Sequence, residues 1–168
     1  MELKTKKGES FFIDEEDYGK VKHINWRMHP KGYIFGWCTN DKVNIRLHRV
    51  LLNAPFGVIV DHIDHNPSNN MRSNIRLCTQ SENLKNRRSF GRSSKYLGVS
   101  CWINRCKYHT EKYGERLFVS KLKIVARIKV GDKQINLGSF KTEEDAAHAY
   151  DEAAKKYHGE FANLNFKK

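Results

Sequence analysis

Long apolar runs are missing from this 168-residue chain: no stretch of Ala, Val, Ile, Leu, Met, Phe, Trp or Tyr exceeds three residues. The opening residues, MELKTKKGESFF, hold no apolar core either. These two absences predict a chain with no membrane span and no secretory leader. Cysteine is also scarce. Cys38, Cys78, Cys101 and Cys106 do not form a dense disulfide framework, so a reducing, cytoplasmic setting is the default expectation. No internal repeat is present. With 39% apolar and 30% charged residues, the chain is too apolar for a disordered tail and too polar for a membrane protein. Its length allows one ordinary domain or two small ones.

Acidic residues are in short supply. There are 19 against 31 Lys and Arg, a formal net charge of +12 and a pI near 9.6. Such a surplus favours a polyanionic partner, because neutralising phosphates releases condensed counterions. Composition alone leaves an inert basic surface open. Residues 1–92 carry 16 basic and 10 acidic side chains and residues 93–168 carry 15 and 9, so both halves are basic. No acid lies between Glu82 and Glu111, while Lys85, Arg87, Arg88, Arg92, Lys95, Arg105 and Lys107 fall in that gap. This distribution predicts a chain that lies along a phosphate backbone.

The first fifty residues read as a small α+β lead-in. Residues 10–13 form a short strand candidate, and Asp14, Glu15, Glu16 and Asp17 suit the first turn of a helix. Strands at 25–28 and 33–38 flank the turn His29-Pro30-Lys31-Gly32. A strand at 43–46 leads into a short helix at 47–52, stopped by Asn53-Ala54-Pro55. Val58-Ile59-Val60 is a buried strand ending at Asp61-His62, and 63–73 is rich in turn formers, among them Asp64, Asn66, Pro67, Asn69 and Asn70. A strand at 74–78 follows. Thr79-Gln80-Ser81-Glu82 is a capping box, opening a helix to about Arg87. Thirty residues of strand, loop, strand and helix are too few to hold together by core burial alone, so they must lean on the lead-in, or on a metal and nucleic acid.

Chemistry concentrates in Asp61-His62, Asn74 and Asn83. Phosphodiester hydrolysis needs an activated water, counter-charge for the phosphorane and help for the departing oxygen. His62 suits the base, because a free imidazole titrates near pH 6.5. Asp61 offers a hard anionic oxygen and Asn83 a neutral one, a pair able to hold one hard divalent ion. Neighbours on a regular strand face opposite ways, so Asp61 and His62 share a site only if the strand ends there. On the residues alone, a capping Asp61 and a packed His62 stay open.

The run VDHIDHNPSNNMRSNIRLCTQSENLKNR resembles the HNH nuclease motif in the variety found in phage homing endonucleases. The resemblance implies that Asp61-His62 ends the first strand of a ββα-metal unit, that Asn74 is the central Asn tying the loop to the helix, and that Asn83 is the last metal ligand. Many family members carry histidine at that last position, several phage enzymes asparagine. Leu47-His48-Arg49 also resembles a segment that precedes the motif in these enzymes. One carboxylate and one amide oxygen form a weak, hard site, which suits Mg²⁺, with Mn²⁺ able to substitute. Asp64 and His65 are expected on the loop, facing solvent or phosphate.

Past the linker Ser89-Phe90-Gly91-Arg92-Ser93-Ser94, strands are expected at 96–102, 123–130 and 134–140, the last two joined through Gly131-Asp132-Lys133. Thr142 caps a helix with Glu143, Glu144 and Asp145 in its first turn and Ala146, Tyr150, Ala153 and Tyr157 on its inward face, ended by Gly159. Tyr96-Leu97-Gly98-Val99, Ala126-Arg127-Ile128, Leu137-Gly138-Ser139-Phe140 and the segments from Thr142 to Phe166 resemble the plant ethylene-response-factor (Apetala-type) DNA-binding domain, which also occurs fused to phage HNH nucleases. In such domains the sheet enters the major groove with a helix behind it. Outward positions are expected to carry Arg127, Lys129 and Lys133. About twenty residues, 101–121, exceed the usual hairpin, and Ile124 replaces a common tryptophan, some of whose packing Trp102 could take over. Cys101, Cys106 and His109 lack a finger or ribbon spacing and a near fourth ligand, so zinc is disfavoured and an extended, DNA-facing hairpin bearing Arg105, Lys107 and Lys112 is expected.

The reading is an α+β protein: an N-terminal ββα-metal (HNH) nuclease domain at 1–88 with its motif at 58–88, a basic linker at 89–94, and a three-stranded antiparallel sheet backed by one helix at 95–168. It implies a site-specific, Mg²⁺-dependent homing endonuclease acting as a monomer on double-stranded DNA in the host cytoplasm. His62 is the base, Asn74 the brace, and Asp61 and Asn83 the metal ligands. Arg49, Arg72, Arg76, Lys85, Arg87, Arg88, Arg92, Trp102, Arg127, Lys129 and Lys133 are the expected DNA contacts. A nick is the simplest product of one site. The rival is a DNA-binding regulator with an inactive nuclease unit; an RNA-directed or nonspecific nuclease is a third possibility.

Overall fold

A computed structural model describes residues 1–38, 43–87, 93–109 and 116–166, with backbone only at 104–109 and 116–120. The chain divides into two compact units, Met1–Asn83 and Leu84–Lys168. The expected roles of Arg88, Arg92 and Lys112, most of the linker, and the side chains of Arg105, Cys106, Lys107 and His109 lie outside the described residues.

In the first unit, β1 (Glu2–Lys4) pairs antiparallel with β2 (Ser10–Phe12). The acidic run opens a 3₁₀ turn at Glu15–Asp17 that continues into α1 (Tyr18–Val21). A three-stranded antiparallel sheet of β3 (Trp26–Met28), β4 (Ile34–Cys38) and β5 (Val43–Arg46) runs into α2 (Leu47–Leu51). β6 (Ile59–His62) and β7 (Ile75–Cys78) form an antiparallel ribbon, and α3 (Gln80–Lys85) follows. The capping box forms: the Thr79 N–H donates to Glu82 Oε2 at 2.8 Å, and the Glu82 N–H to Thr79 Oγ1 at 3.2 Å.

A core of Phe11, Ile13, Val21, Trp26, Ile34, Leu47, Leu51 and Ile75 holds this unit. Each such side chain contributes roughly 1.5–3 kcal/mol by leaving water. Only Ile75 comes from the ribbon, so the lead-in supplies nearly all of the core. Polar contacts fasten the 63–73 loop to it as well. Phe12 bonds to the loop at both of its peptide groups, its N–H donating to the Ser68 carbonyl at 2.9 Å and its carbonyl accepting from the Asn70 N–H at 2.8 Å. The Arg72 guanidinium forks onto Asp17, with both contacts at 2.7 Å. That fork is the main reason Asp17, though fully buried, keeps its carboxyl below the usual range.

In the second unit, β8 (Val99–His109), β9 (Arg116–Val130) and β10 (Lys133–Phe140) form an antiparallel sheet in the order β10-β9-β8. α4 (Glu143–His158) packs on it through Ala146, Ala147, Tyr150, Ala153 and Ala154. The fold is thus mixed α+β, and this unit is the predicted three-stranded sheet with one helix. The long insertion belongs to the sheet, since β8 and β9 stay paired out to His109 and Arg116. β8 starts at Val99 and not at 96, because Gly98 turns the chain at φ +71°. A Cβ there would meet Tyr150 Cδ2 at 1.9 Å, so the glycine also lets the strand lie on the helix.

Thr142 caps α4, its Oγ1 accepting from the Asp145 N–H at 3.1 Å. Tyr157 departs from the expected inward face and is 38% exposed. The buried arc is centred nearer Ala147 and Ala154, and His158 takes the last inward place with Nε2 3.0 Å from the Lys129 carbonyl. Asp151 accepts from Asn165 and Phe166, which ties the C-terminal segment to the helix. Among the described residues no helix is long and apolar enough to cross a membrane.

Candidate active site

Side-chain alternation sorts the β6–β7 ribbon into two faces. Cross-strand pairing sets Asp61 opposite Arg76 and Ile59 opposite Cys78 on one face, with His62 opposite Ile75 and Val60 opposite Leu77 on the other. β6 ends at His62, and the Ile63 N–H donating to the Asn74 carbonyl at 2.8 Å closes the ladder. Asp61 and His62 therefore stand at the last rung of the ribbon, where the loop begins.

On the first face, Asp61 is buried and its Oδ2 accepts from Arg76 Nε at 3.1 Å and Nη2 at 2.9 Å. Burial, and then the Asp61 charge, push the neighbouring Cys78 thiol up. On the other face His62 is only 6% exposed. Its Nε2 lies 3.2 Å from Asn70 Oδ1, and its ring stands perpendicular to His48, centroids 5.1 Å apart. Tyr33 meets both imidazoles edge-on, at 6.0 Å from His48 and 6.1 Å from His62. Burial lowers the His62 pKa, against the opposing pull of Asn70, Asp64 and Asp61. For His48, burial first and then the charges on His62, Arg46 and Arg49 bring the pKa down to about 3. Both rings are neutral at pH 7, as a proton acceptor must be.

The loop between the strands is braced from within. Asn74 Nδ2 donates to Asp64 Oδ1 at 2.9 Å and to the Asn69 carbonyl at 2.7 Å, while its Oδ1 accepts from the Asp64 N–H at 3.0 Å. Asp64 also accepts from the Asn66 N–H and from Asn69 Nδ2. Burial opposes ionisation of Asp64, and these bonds outweigh it and lower its pKa. Asp64 sits on the loop and is exposed, as expected, and three amide donors that converge on its carboxylate also make it part of this brace. Asn83 lies in α3, half-buried, its N–H on the Thr79 carbonyl.

Hard oxygen donors dominate the metal-binding possibilities. The described residues contain no cluster of three His, Cys, Asp or Glu, so the expected ligands are one carboxylate, on Asp61, and one amide, on Asn83. A carboxylate has about four lone-pair sites, so the two Arg76 donors do not exhaust Asp61. This donor set fits a hard divalent ion that also takes oxygens from phosphate and water.

Several expected DNA contacts have intramolecular partners. The Arg49 guanidinium donates to the carbonyls of Ala54, Pro55 and Val58, clamping the turn before β6. Arg72 is forked onto Asp17 and reaches Glu16 at 3.0 Å, and Arg76 is paired with Asp61. The acids and carbonyls that hold them come from distant parts of the sequence or from a tight turn, so a count of charges along the chain does not show these pairings. Arg87 is exposed and Lys85 half-buried. On the second unit, Trp102 has Lys123 at 5.7 Å and Arg127 at 5.6 Å from its ring, all three on the sheet face away from α4. Lys129 shares that face, whereas Lys133 pairs with Val130 and so takes the helix side, contrary to its expected outward place.

Sequence reasoning undervalued three residues. Asn70 reads as one turn former among many, and only its complete burial distinguishes it. His48 and Tyr33 sit in separate elements, α2 and the β3–β4 turn, and no local spacing links them to His62.

A family model described as HNH endonuclease matches residues 53–85. An uncharacterized HNH endonuclease of Acanthamoeba polyphaga mimivirus is 31% identical over 165 residues, which cover 95% of this chain and 76% of the relative. No solved structure matches.

Proposed function

This chain belongs to the HNH endonuclease family, and from that premise we propose that it is a site-specific, Mg²⁺-dependent DNA endonuclease of the homing type. The family implies phosphodiester hydrolysis on DNA with a divalent metal ion. The observation that carries the reading is the buried, neutral His62 ring next in sequence to the Asp61 carboxylate, at the loop end of a strand–strand–helix unit.

In this reading His62 accepts a proton from a water whose oxygen attacks phosphorus as the bond to the 3′ oxygen breaks. Asp61 and Asn83 would hold the ion, which when bound would supply positive charge to the phosphoryl and departing oxygens. Asn74 keeps the loop in shape through its bonds to Asp64 and Asn69. His48 and Tyr33 pack edge-on against the base and hold its ring. The likeness of the second unit to the Apetala-type domain supports a sheet that meets the DNA major groove, with Arg127 and Lys129 on the outward face. Arginine there can read guanine through a forked pair of hydrogen bonds, and lysine can hold phosphate. One site per chain favours a monomer that nicks, and the likeness to phage enzymes favours a phage gene.

The test is cleavage of supercoiled DNA carrying the recognition site, with Mg²⁺ and with EDTA. Conversion to open circle in Mg²⁺ alone supports the proposal, and linear product would replace nicking with double-strand cutting. Tight binding without cleavage in Mg²⁺ or Mn²⁺ would favour the regulator with an inactive nuclease unit.

A further inference from the structure

Asn70 is fully buried, and both ends of its side-chain amide have a partner of known character. Its N–H donates to the Phe12 carbonyl at 2.8 Å, and Nδ2 donates to the Pro67 carbonyl at 3.2 Å. A backbone carbonyl only accepts, so the amino end of the amide must face Pro67. Turning the amide over would set two acceptor oxygens against each other and forfeit that bond. The end facing His62 is therefore Oδ1, 3.2 Å from Nε2, and it too only accepts. The hydrogen in this contact belongs to the imidazole. In a neutral ring one nitrogen carries hydrogen and the other a lone pair. With hydrogen on Nε2, the lone pair is on Nδ1.

We propose that Asn70 is a positioning residue that fixes His62 in the Nε2–H tautomer and so makes Nδ1 the atom that takes the proton during phosphodiester hydrolysis. This deepens the nuclease reading and rests on it for the role of His62. The surroundings hold the ring as well as the tautomer. His48 stands perpendicular to it at 5.1 Å and Tyr33 at 62° to it, which restricts rotation about the Cβ–Cγ bond. Asn70 is itself tied at three points, to strand β2 through Phe12, to the loop through Pro67, and to the base. The lead-in thus reaches the imidazole of the base through one residue.

Two-bond ¹H–¹⁵N correlation spectra of the full chain, labelled with ¹⁵N-histidine, read the tautomer directly at about pH 8, where imidazole is neutral. The His62 signal is assigned by its loss in His62→Gln. The expected wild-type pattern is Nε2–H, shifting toward a mixture with Nδ1–H in Asn70→Ala. Asn70→Asp retains an acceptor and is expected to keep hydrogen on Nε2. Single-turnover cleavage by Asn70→Ala should fall roughly a hundredfold at saturating DNA, with KM within about twofold. Nδ1–H in the wild type, or a folded Asn70→Ala with an unchanged Nε2–H pattern, overturns the proposal. The spectra need neither DNA nor metal, so an Nε2–H ring in a chain that never cuts would overturn the nuclease reading and still support the Asn70–His62 assignment.

Discussion

The two units differ in how they use buried polarity and where they carry charge. In Met1–Asn83, Asp61, His62, His48, Asn70 and Asn74 are buried around one ribbon and its loop. In Leu84–Lys168 the buried polar groups are spread out, each fastening a separate piece of chain: Asp151 holds the C-terminal segment, His158 meets the β9 backbone, and Asn163 donates to the Arg87 carbonyl. Charge divides the opposite way. The first unit has 12 basic and 10 acidic residues, the second 19 and 9, so the net charges are +2 and +10. A division after residue 92 evens out the two sides because Lys85, Arg87, Arg88 and Arg92 then join the first. In the proposed reading, the buried polar groups around one ribbon carry the chemistry, while unneutralised charge carries the binding.

The sharpest way to strain this contrast is Arg76→Ala. It leaves Asp61 buried without its cross-strand cation, a loss of about 3–5 kcal/mol for the first unit. Hydrogen exchange followed segment by segment should show the ribbon opening while 99–158 stays protected. The counterpart in the second unit is Gly98→Ala. Its φ of +71° and the 1.9 Å approach to Tyr150 predict a loss of about 3 kcal/mol, confined to the sheet and α4. Loss of protection in both units from either variant would break the comparison.

Acid should separate them more gently. His48 binds its proton near pH 6.5 when unfolded, but only at about pH 3 when folded. Below pH 6.5 the unfolded state therefore binds more protons, and the first unit loses about 1.4 kcal/mol per pH unit from this group. Burial of His62 acts in the same direction. Asp17, whose pKa is lowered, adds stability above its unfolded pKa of about 3.9 that disappears as pH falls through the folded value. A urea series from pH 7 to about pH 4.5 checks the histidine contribution. The smallest effect is Thr142→Ala, which removes the α4 cap and costs the second unit about 1 kcal/mol by thermal unfolding.

Much of this arrangement was legible in the residues. The capping box at Thr79, the N-cap at Thr142, the turn at residues 29–32 and the alanine face of α4 are local signals, and local signals survive folding. β1 went unread because three residues, Glu-Leu-Lys, carry too little pattern to mark a strand. The site was half legible. Asp61, His62, Asn74 and Asn83 stand at recognisable spacings, but Asn70 sits among turn formers and His48 and Tyr33 meet His62 only through tertiary packing. The partners of the arginines were hidden for a related reason. Arg72 finds Asp17 across 55 residues and Arg76 finds Asp61 across 15, and a count of charges along the chain cannot show such pairings.

The division between chemistry and binding is tested most directly by measuring two variants side by side, His62→Ala and the double variant Arg127→Ala, Lys129→Ala. Each is assayed for DNA affinity across a salt series and for single-turnover cleavage in Mg²⁺ at saturating DNA. The account predicts a crossed result. His62→Ala loses about 10²–10⁴-fold in rate with its affinity unchanged. The double variant loses affinity, its salt slope falling by about 0.9 for each phosphate contact removed, and keeps the rate at saturation. Loss of rate and affinity together in both variants, or cleavage that survives in His62→Ala, would contradict it.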